Sequence, residues 1–428
     1  MQLLIVVSAV LSLLANVSNA SHVPLFKRQS SNYPALDIPG PTPKQEWVDA
    51  YQREKAAGRI PNIQPSVKLP SGDTKYPANV NPLDPSVCSW TVGCISPTDV
   101  NDAPDGMMGI SFDDGPQGGT AELLQFLESV NQTATHFMIG SRILSNTDAF
   151  KATVAKGDHI AVHTWSHPLM TTLTDLQVLG EIGWTLQVIF DLADGRLPAY
   201  WRPPYGDADN RVRAIAKHVF GLQTVIWNHD TEDWCVSPED VNICTNHGPA
   251  NQAALTAQLK DYAKLPKSPG LVILEHEITL HSVRGFADAW PAIKAAGWDT
   301  RPIPSLFNQA WYQNALGASD HPIHIPGVLN ASETLHGLQH NIVNNASQYV
   351  NLTTPSGLPN TTSVLYTTSV LNTTSVLNTT SGIKSTTTNL TNHAPSVFVN
   401  TSGADAARKT SCGFWRTIPL FFVLLSLL

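Results

Sequence analysis

What most narrows the folds open to this chain is a rhythm. Between Gly106 and about Arg301, five short apolar runs, MMGISF, ATHFMI, HIAVH, LQTVIW and LVILEH, are separated by stretches of helical spacing such as Thr120 to Val130. Strand, helix, strand is the pattern of a parallel sheet covered by helices. From Thr174 to Asp191 the residues Leu176, Leu179, Ile182, Leu186 and Ile189 recur at three- and four-residue steps, which predicts a helix with all five packed inward. Periodicity alone fits an open doubly wound sheet and a closed barrel equally. Polar motifs directly follow the apolar runs, and this favours a barrel, whose sites form at the C-terminal ends of its strands.

The remainder of the 428 residues is organised differently. Residues 1–20 are apolar, too short to span a bilayer, and end in Ser18-Asn19-Ala20, the layout of a secretory signal. The arm from 21 to 104 carries a dibasic Lys27-Arg28, readable equally as a processing site or as two solvated charges. Dense prolines then leave room for one short helix around Lys44 to Ala57. The catalytic region is expected over 105–301. Residues 302–402 shift to a Ser/Thr/Asn-rich stalk with repeated TTSVLY and TTSVLN hexads and too little apolar mass to pack. N-x-S/T acceptors stand at Asn330, Asn345, Asn351, Asn360, Asn372, Asn378, Asn389 and Asn400, with Asn131 inside the catalytic region. Small residues, a polar spacer and the apolar end Ile418 to Leu428 form a glycolipid (GPI) anchor signal. It predicts attachment at Ser402, with Gly403 and Asp405 as alternatives, and loss of 403–428 with Cys412. In an exported chain Cys88, Cys94, Cys235 and Cys244 predict two disulfides, with three pairings open; their irregular spacing disfavours a zinc site. A net charge of −8 gives no basic footprint for nucleic acid.

Chemistry concentrates in the polar motifs. The run ISFDDGP delivers Asp113 and Asp114 to a strand end, where two adjacent carboxylates need a metal, an arginine or open water. HTWSH places His163 and His167 four positions apart, and two imidazoles with one carboxylate make a metal site with room for water. Alone, each motif has a plainer explanation: solvated carboxylates, a pair of surface histidines, an ordinary ion pair at Arg202. Together with Arg202-Pro203-Pro204-Tyr205, Asp230-Thr231-Glu232-Asp233-Trp234 and Leu274-Glu275-His276 they follow the five-motif order of the polysaccharide deacetylases. The chain resembles the fungal chitin deacetylases of carbohydrate esterase family 4.

That resemblance implies a distorted (β/α) barrel and a role for each motif. Asp114, His163 and His167 would hold one divalent metal, zinc with cobalt as the alternative. Asp113 would be the general base, kept ionised by Arg202, and His276 the general acid, paired with Asp233. The Tyr205 backbone N–H would serve the oxyanion hole, and Trp234 and Leu274 would wall the acetyl pocket, with plain core as their alternative. Glu277, His281 and Asp230 are expected to be supporting or solvated groups. Ser111 stands where many relatives carry threonine and keeps a small hydroxyl. The implied activity is metal-dependent removal of acetyl groups from N-acetylglucosamine units of chitin, by a monomer secreted to the cell wall and anchored to the outer face of the plasma membrane. Two rivals are an esterase of the same fold acting on xylan or peptidoglycan, and a wall mannoprotein that only binds carbohydrate. Binding alone needs no acid, base or metal ligands, so the second rival leaves these motifs unexplained.

Overall fold

The structure, a computed structural model, describes residues 32–315 and 321–329. The signal segment, Lys27-Arg28, the sequons from Asn330 to Asn400, the anchor residues Ser402, Gly403 and Asp405, and Cys412 lie outside the described residues.

In the arm, α1 (Gln45–Ala56) buries Trp47, Ala50 and Tyr51, and a short antiparallel hairpin follows, β1 (Val67–Lys68) and β2 (Thr74–Lys75). The chain then alternates: β3 (Met107–Gly109), β4 (Ser111–Gly115), α2 (Thr120–Ser129), β5 (Thr135–Met138), α3 (Gly140–Ser145), α4 (Thr147–Lys156), β6 (His159–Val162) and α5 (Asp175–Leu192). It continues with β7 (Tyr200–Trp201), α6 (Asn210–Phe220), β8 (Gln223–Thr224), β9 (His229–Asp230), α7 (Gln252–Tyr262), β10 (Leu271–Leu274), α8 (Leu280–Ala295), β11 (Asp299–Arg301) and α9 (Ile303–Leu306). Of the two larger sheets, one runs β4-β5-β6-β7-β8 and the other β11-β3-β10-β9, with their strands paired in parallel.

Two continuities turn these sheets into a barrel. β3 runs into β4 through Ile110, and β8 runs into β9 through residues 225–228, where Val225 N–H bonds Trp201 C=O and Asn228 N–H bonds Val272 C=O. The ring closes where Asp113 donates its N–H to Glu275 C=O at 2.9 Å and its own C=O accepts from Glu277 N–H at 3.2 Å. Such closure removes the edges of both sheets at this point. Strand alternation then sorts the side chains. Phe137, Ala161, Val272 and Leu274 point to one buried cluster with Tyr200 and Trp227, while Met138, Ile160 and Val162 face the cluster beneath α5 and α6, and Ile110, Phe112, Leu271 and Ile273 the one beneath α7 and α8. Asp113 follows the outward Phe112 and so turns inward.

Helix α5 starts at a capping box in which Thr174 accepts from Gln177 N–H, and it buries Leu179, Ile182, Leu186 and Ile189. Leu176 does not join them; it is 46% exposed. A helix turns about 100° per residue, so each three-residue step slips back about 60°, and two such steps carry Ile182 to a different side from Leu176. The opposite side of α5 is covered too, because α1 lies on it: a Cβ on Gly183 would stand 2.5 Å from the Trp47 ring. Trp47 itself is fully buried, which makes the arm part of the core.

Candidate active site

The barrel places its polar motifs at the C-terminal ends of β4, β6, β7, β9 and β10. Arg202 follows β7 and is completely buried, its guanidinium 4.2 Å from the Phe137 ring. It donates from Nη1 to Asp113 Oδ1 at 2.6 Å and from Nη2 to Ser111 Oγ at 3.1 Å. The Ser111 hydroxyl therefore orients the arginine. Burial of a lone guanidinium is costly, and burial does push the Arg202 pKa down; the Asp113 carboxylate opposes that shift. In turn Asp113 is given one charged partner on one oxygen, leaving Oδ2 facing the His163 side at 3.7 Å.

Next to it Asp114 takes a left-handed backbone (φ 70°), as do Thr164 (66°), His167 (61°) and Tyr205 (58°). Each such non-glycine residue costs about 1–3 kcal/mol and persists only where its surroundings hold it. For the HTWSH loop the holder is Glu181 of α5. This buried carboxylate accepts Trp165 N–H at 2.8 Å, Ser166 N–H at 2.9 Å, the Ser166 hydroxyl at 2.8 Å and, from the arm, Gly40 N–H at 2.7 Å. Sequence reasoning missed it. Its signal was present, a lone acid among the apolar residues of an amphipathic helix.

The three groups His163, His167 and Asp114 converge. Asp114 Oδ1 lies 3.3 Å from His163 Nε2 and 3.2 Å from His167 Nε2. The His163 Nδ1–H donates to Arg202 C=O at 2.7 Å, so Nε2 is the nitrogen turned toward the Asp114 carboxylate. Burial lowers the His167 pKa to about 4, which favours a neutral ring there. The buried Asp114 Oδ1 has no hydrogen-bond donor. Acceptor atoms facing one another in this way call for a cation, and all three lie within 4.8 Å of one another. Two imidazoles and a carboxylate suit zinc or a similar divalent ion.

His276 completes the cluster from the end of β10. Its Nδ1 is 2.6 Å from Asp233 Oδ1, while its backbone N–H donates to Asp233 Oδ2 at 2.8 Å. One carboxylate thus fixes both the strand end and the ring. Burial alone would lower the His276 pKa, but the Asp233 charge and hydrogen bond outweigh it and lift the value to about 10. Asp230 accepts Glu232 N–H at 2.8 Å, and burial raises its pKa to about 6. Trp234 lies beside Asp233, its ring 5.7 Å from that of His247; Leu274 is buried in the barrel cluster and its C=O accepts the Thr231 hydroxyl at 2.8 Å. The Tyr205 ring, 46% exposed overall, stands 4.7 Å from His167.

Behind the rim Glu277, expected as a supporting or solvated group, proves to be supporting, through partners the sequence did not point to. Glu277 is fully buried and pairs with His136 Nδ1 at 2.9 Å; His136 Nε2 reaches Asp158 at 3.3 Å, and Asp158 reaches Lys156 at 2.9 Å. His281 stays at the surface, 2.8 Å from Gln252. Asn131 sits before β5, at the end of the barrel away from the motifs. The cysteines take one of the three pairings, Cys88–Cys94 and Cys235–Cys244. The second bridge closes the loop that follows Asp233 and Trp234.

A closed (β/α) barrel with an arginine-held carboxylate, a carboxylate-held histidine and a ready ligand set on its C-terminal rim is the architecture of an enzyme. A family model described as polysaccharide deacetylase matches residues 100–225. "Chitin deacetylase 3" of Cryptococcus neoformans is 37% identical over 331 residues, covering 73% of this chain and 77% of that one. The chitin deacetylase of Amylomyces rouxii is 41% identical over 223 residues, 49% of this chain and 52% of that one. Among solved structures, the chitin deacetylase of Colletotrichum lindemuthianum covers 53% of this chain and 98% of its own, at 22% identity and a TM-score of 0.44. The chain belongs to the polysaccharide deacetylase family, and it is a hydrolase of amide bonds.

Proposed function

We propose that this protein removes acetyl groups from N-acetylglucosamine units of chitin, releasing acetate and leaving chitosan. The observation that carries the reading is the convergence of three acceptor atoms, from Asp114, His163 and His167, beside a base held by Arg202 and an acid held by Asp233. The names of the relatives support chitin as the substrate.

In this reading Asp114, His163 and His167 hold the divalent ion, which when bound polarises the acetyl carbonyl and acidifies water toward a pKa of about 7. Asp113, with Oδ1 occupied by Arg202, takes the proton of the attacking water on Oδ2. The Tyr205 N–H donates to the carbonyl oxygen as negative charge builds there. His276, protonated against Asp233, gives its Nε2 proton to the departing amine, which could not otherwise leave. Trp234 and Leu274 bound the acetyl pocket. Asp113 and His276 come from adjacent strands closed on each other, so base and acid face one site from two sides.

Acetate release from chitin oligomers, set against acetylxylan, with and without chelator and with zinc or cobalt restored, tests the substrate and metal together. Preference for acetylxylan would sink the chitin reading. Full activity after exhaustive chelation, or stoichiometric metal in purified Asp114→Ala, would sink the ligand set. We also assign the protein to the secretory route and to a GPI anchor at the outer face of the plasma membrane, within the cell wall. The two end segments of the sequence support this, and among the described residues no helix is long and apolar enough to cross a membrane.

A further inference from the structure

Besides its contacts under the histidine loop, the N-terminal arm reaches the active-site rim with the side chain of Trp90. The disulfide joins Cys88 to Cys94, six positions apart, and the loop it closes carries Trp90. Trp90 donates its backbone N–H to Ala208 C=O at 3.1 Å, and its ring fills the space beside Gly206: a Cβ there would stand 2.3 Å from Trp90 Cε3 and Cζ3. On its other side the ring lies against Trp227, 4.7 Å between centroids and tilted by 58°, and Trp227 in turn is 5.8 Å from the Arg202 guanidinium. The loop is fastened at its base as well, with Val87 C=O accepting Asn210 N–H at 2.8 Å and Cys88 C=O accepting Arg213 Nη1 at 2.5 Å.

What Trp90 presses on is the turn Pro204–Gly206, which has two successive left-handed residues, Tyr205 (φ 58°) and Gly206 (φ 67°). The first is strained for a residue with a side chain, and its half-exposed ring packs on one side against His167, 4.7 Å between centroids. Within the turn the holding bonds are Gly206 N–H to Pro203 C=O at 3.0 Å and Asp207 N–H to Pro204 C=O at 2.9 Å, and both belong to the turn itself. From outside, buried Asp207 is anchored by Thr171, whose N–H donates to Oδ2 at 2.8 Å and whose hydroxyl donates at 2.9 Å, while Gly206 is braced by the indole.

We infer that Trp90 is a positioning residue which, delivered by the disulfide-closed loop of the arm, locks the Pro204–Gly206 turn and so aims the Tyr205 amide at the reacting carbonyl. The inference rests on the deacetylase reading for its catalytic consequence, though not for the brace itself. A displaced oxyanion donor loses its benefit steeply, since a misplacement of about 1 Å can cost on the order of 10²-fold in rate.

The test uses the full chain carrying Trp90→Ala or Trp90→Phe. Hydrogen exchange over residues 203–208 should quicken in Trp90→Ala and return toward wild type in Trp90→Phe, with zinc content unchanged in both. For Trp90→Ala, kcat should fall about tenfold or more at near-constant KM, equally on chitin oligomers and on an activated aryl acetate, because both reactions develop the same oxyanion. Exchange and kcat within twofold of wild type would overturn the inference, and so would a raised KM at unchanged kcat, which would make Trp90 a substrate contact. If Trp90→Ala does not fold, Trp90→Leu is measured on the same criteria. If the wild type releases no acetate, the deacetylase reading fails, and exchange over 203–208 still decides the brace.

Discussion

At the scale of single residues, the site is a set of proton assignments fixed by backbone acceptors. Arg202 C=O accepts the His163 Nδ1–H at 2.7 Å, so Nε2 is the nitrogen His163 turns to the cluster; Asp233 accepts the His276 Nδ1–H, so His276 can deliver a proton only from Nε2. This division predicts different defects for base and acid. Asp113→Asn keeps its shape and loses basicity, so metal should stay bound while turnover falls by a factor on the order of 10² to 10⁴ on amide and aryl ester alike. His276→Ala should also keep its metal, but spare aryl acetate hydrolysis relative to chitin, since an aryl oxide leaves unaided. Equal proportional losses on both substrates in both variants would end the assignment of separate roles. A second prediction concerns His136. Burial disfavours its charge, but Glu277 and Asp158 outweigh burial and raise its pKa to about 9, against about 6.5 unfolded. A raised folded pKa gives stability that is full below the unfolded value and lost as pH rises through the folded one. The urea midpoint should therefore decline between about pH 6.5 and 9, and His136→Gln should flatten that decline; an unchanged slope in the variant would show that the pair contributes nothing.

Among the elements, α5 matters most to the site although no catalytic group lies on it. Its Glu181 takes two loop amides, one loop hydroxyl and one arm amide. Removing the acceptor leaves buried donors unsatisfied at about 1–3 kcal/mol each. The loop it holds carries both proposed ligand histidines, so under that proposal Glu181→Ala should weaken affinity for added zinc about 10- to 100-fold, the usual effect of losing a group that orients metal ligands. Competition with a chromophoric chelator measures this directly. A lower Tm with unchanged zinc affinity would reduce Glu181 to a packing role. The helix was legible in the sequence through its period, but its depth was not: Leu176 is exposed while Glu181 is buried, because the arm covers a side of α5 that periodicity assigns to solvent.

For the whole molecule, arm and barrel are one folding unit. Trp47 is fully buried against α5 and Trp90 sits at the rim, so the arm cannot be trimmed without opening the core. The other end should behave oppositely. A chain truncated before Ser402 should be secreted into the medium with full deacetylase activity, and the full chain should be released from cells by a phosphatidylinositol-specific phospholipase or by wall-degrading enzymes. Retention of the truncated form on membranes would refute the anchor.

The sequence by itself determined the strand and helix rhythm, the order of the five motifs and the chemical types at the rim, because these depend on local periodicity and on which side chains can ligate or exchange protons. Its periodicity alone left the barrel and the open sheet equally possible, the placement of the polar motifs favoured the barrel, and three disulfide pairings stayed open. Only the tertiary structure decided closure, through the bonds between Asp113 and the strand end of His276, and only it showed Arg202 and Glu277 to be buried. It also placed Glu181 under the histidine loop and Trp90 against Gly206. Those partners lie far apart in the chain, and no local pattern encodes which distant backbone a buried carboxylate or an indole will meet; that is set by how the layers pack.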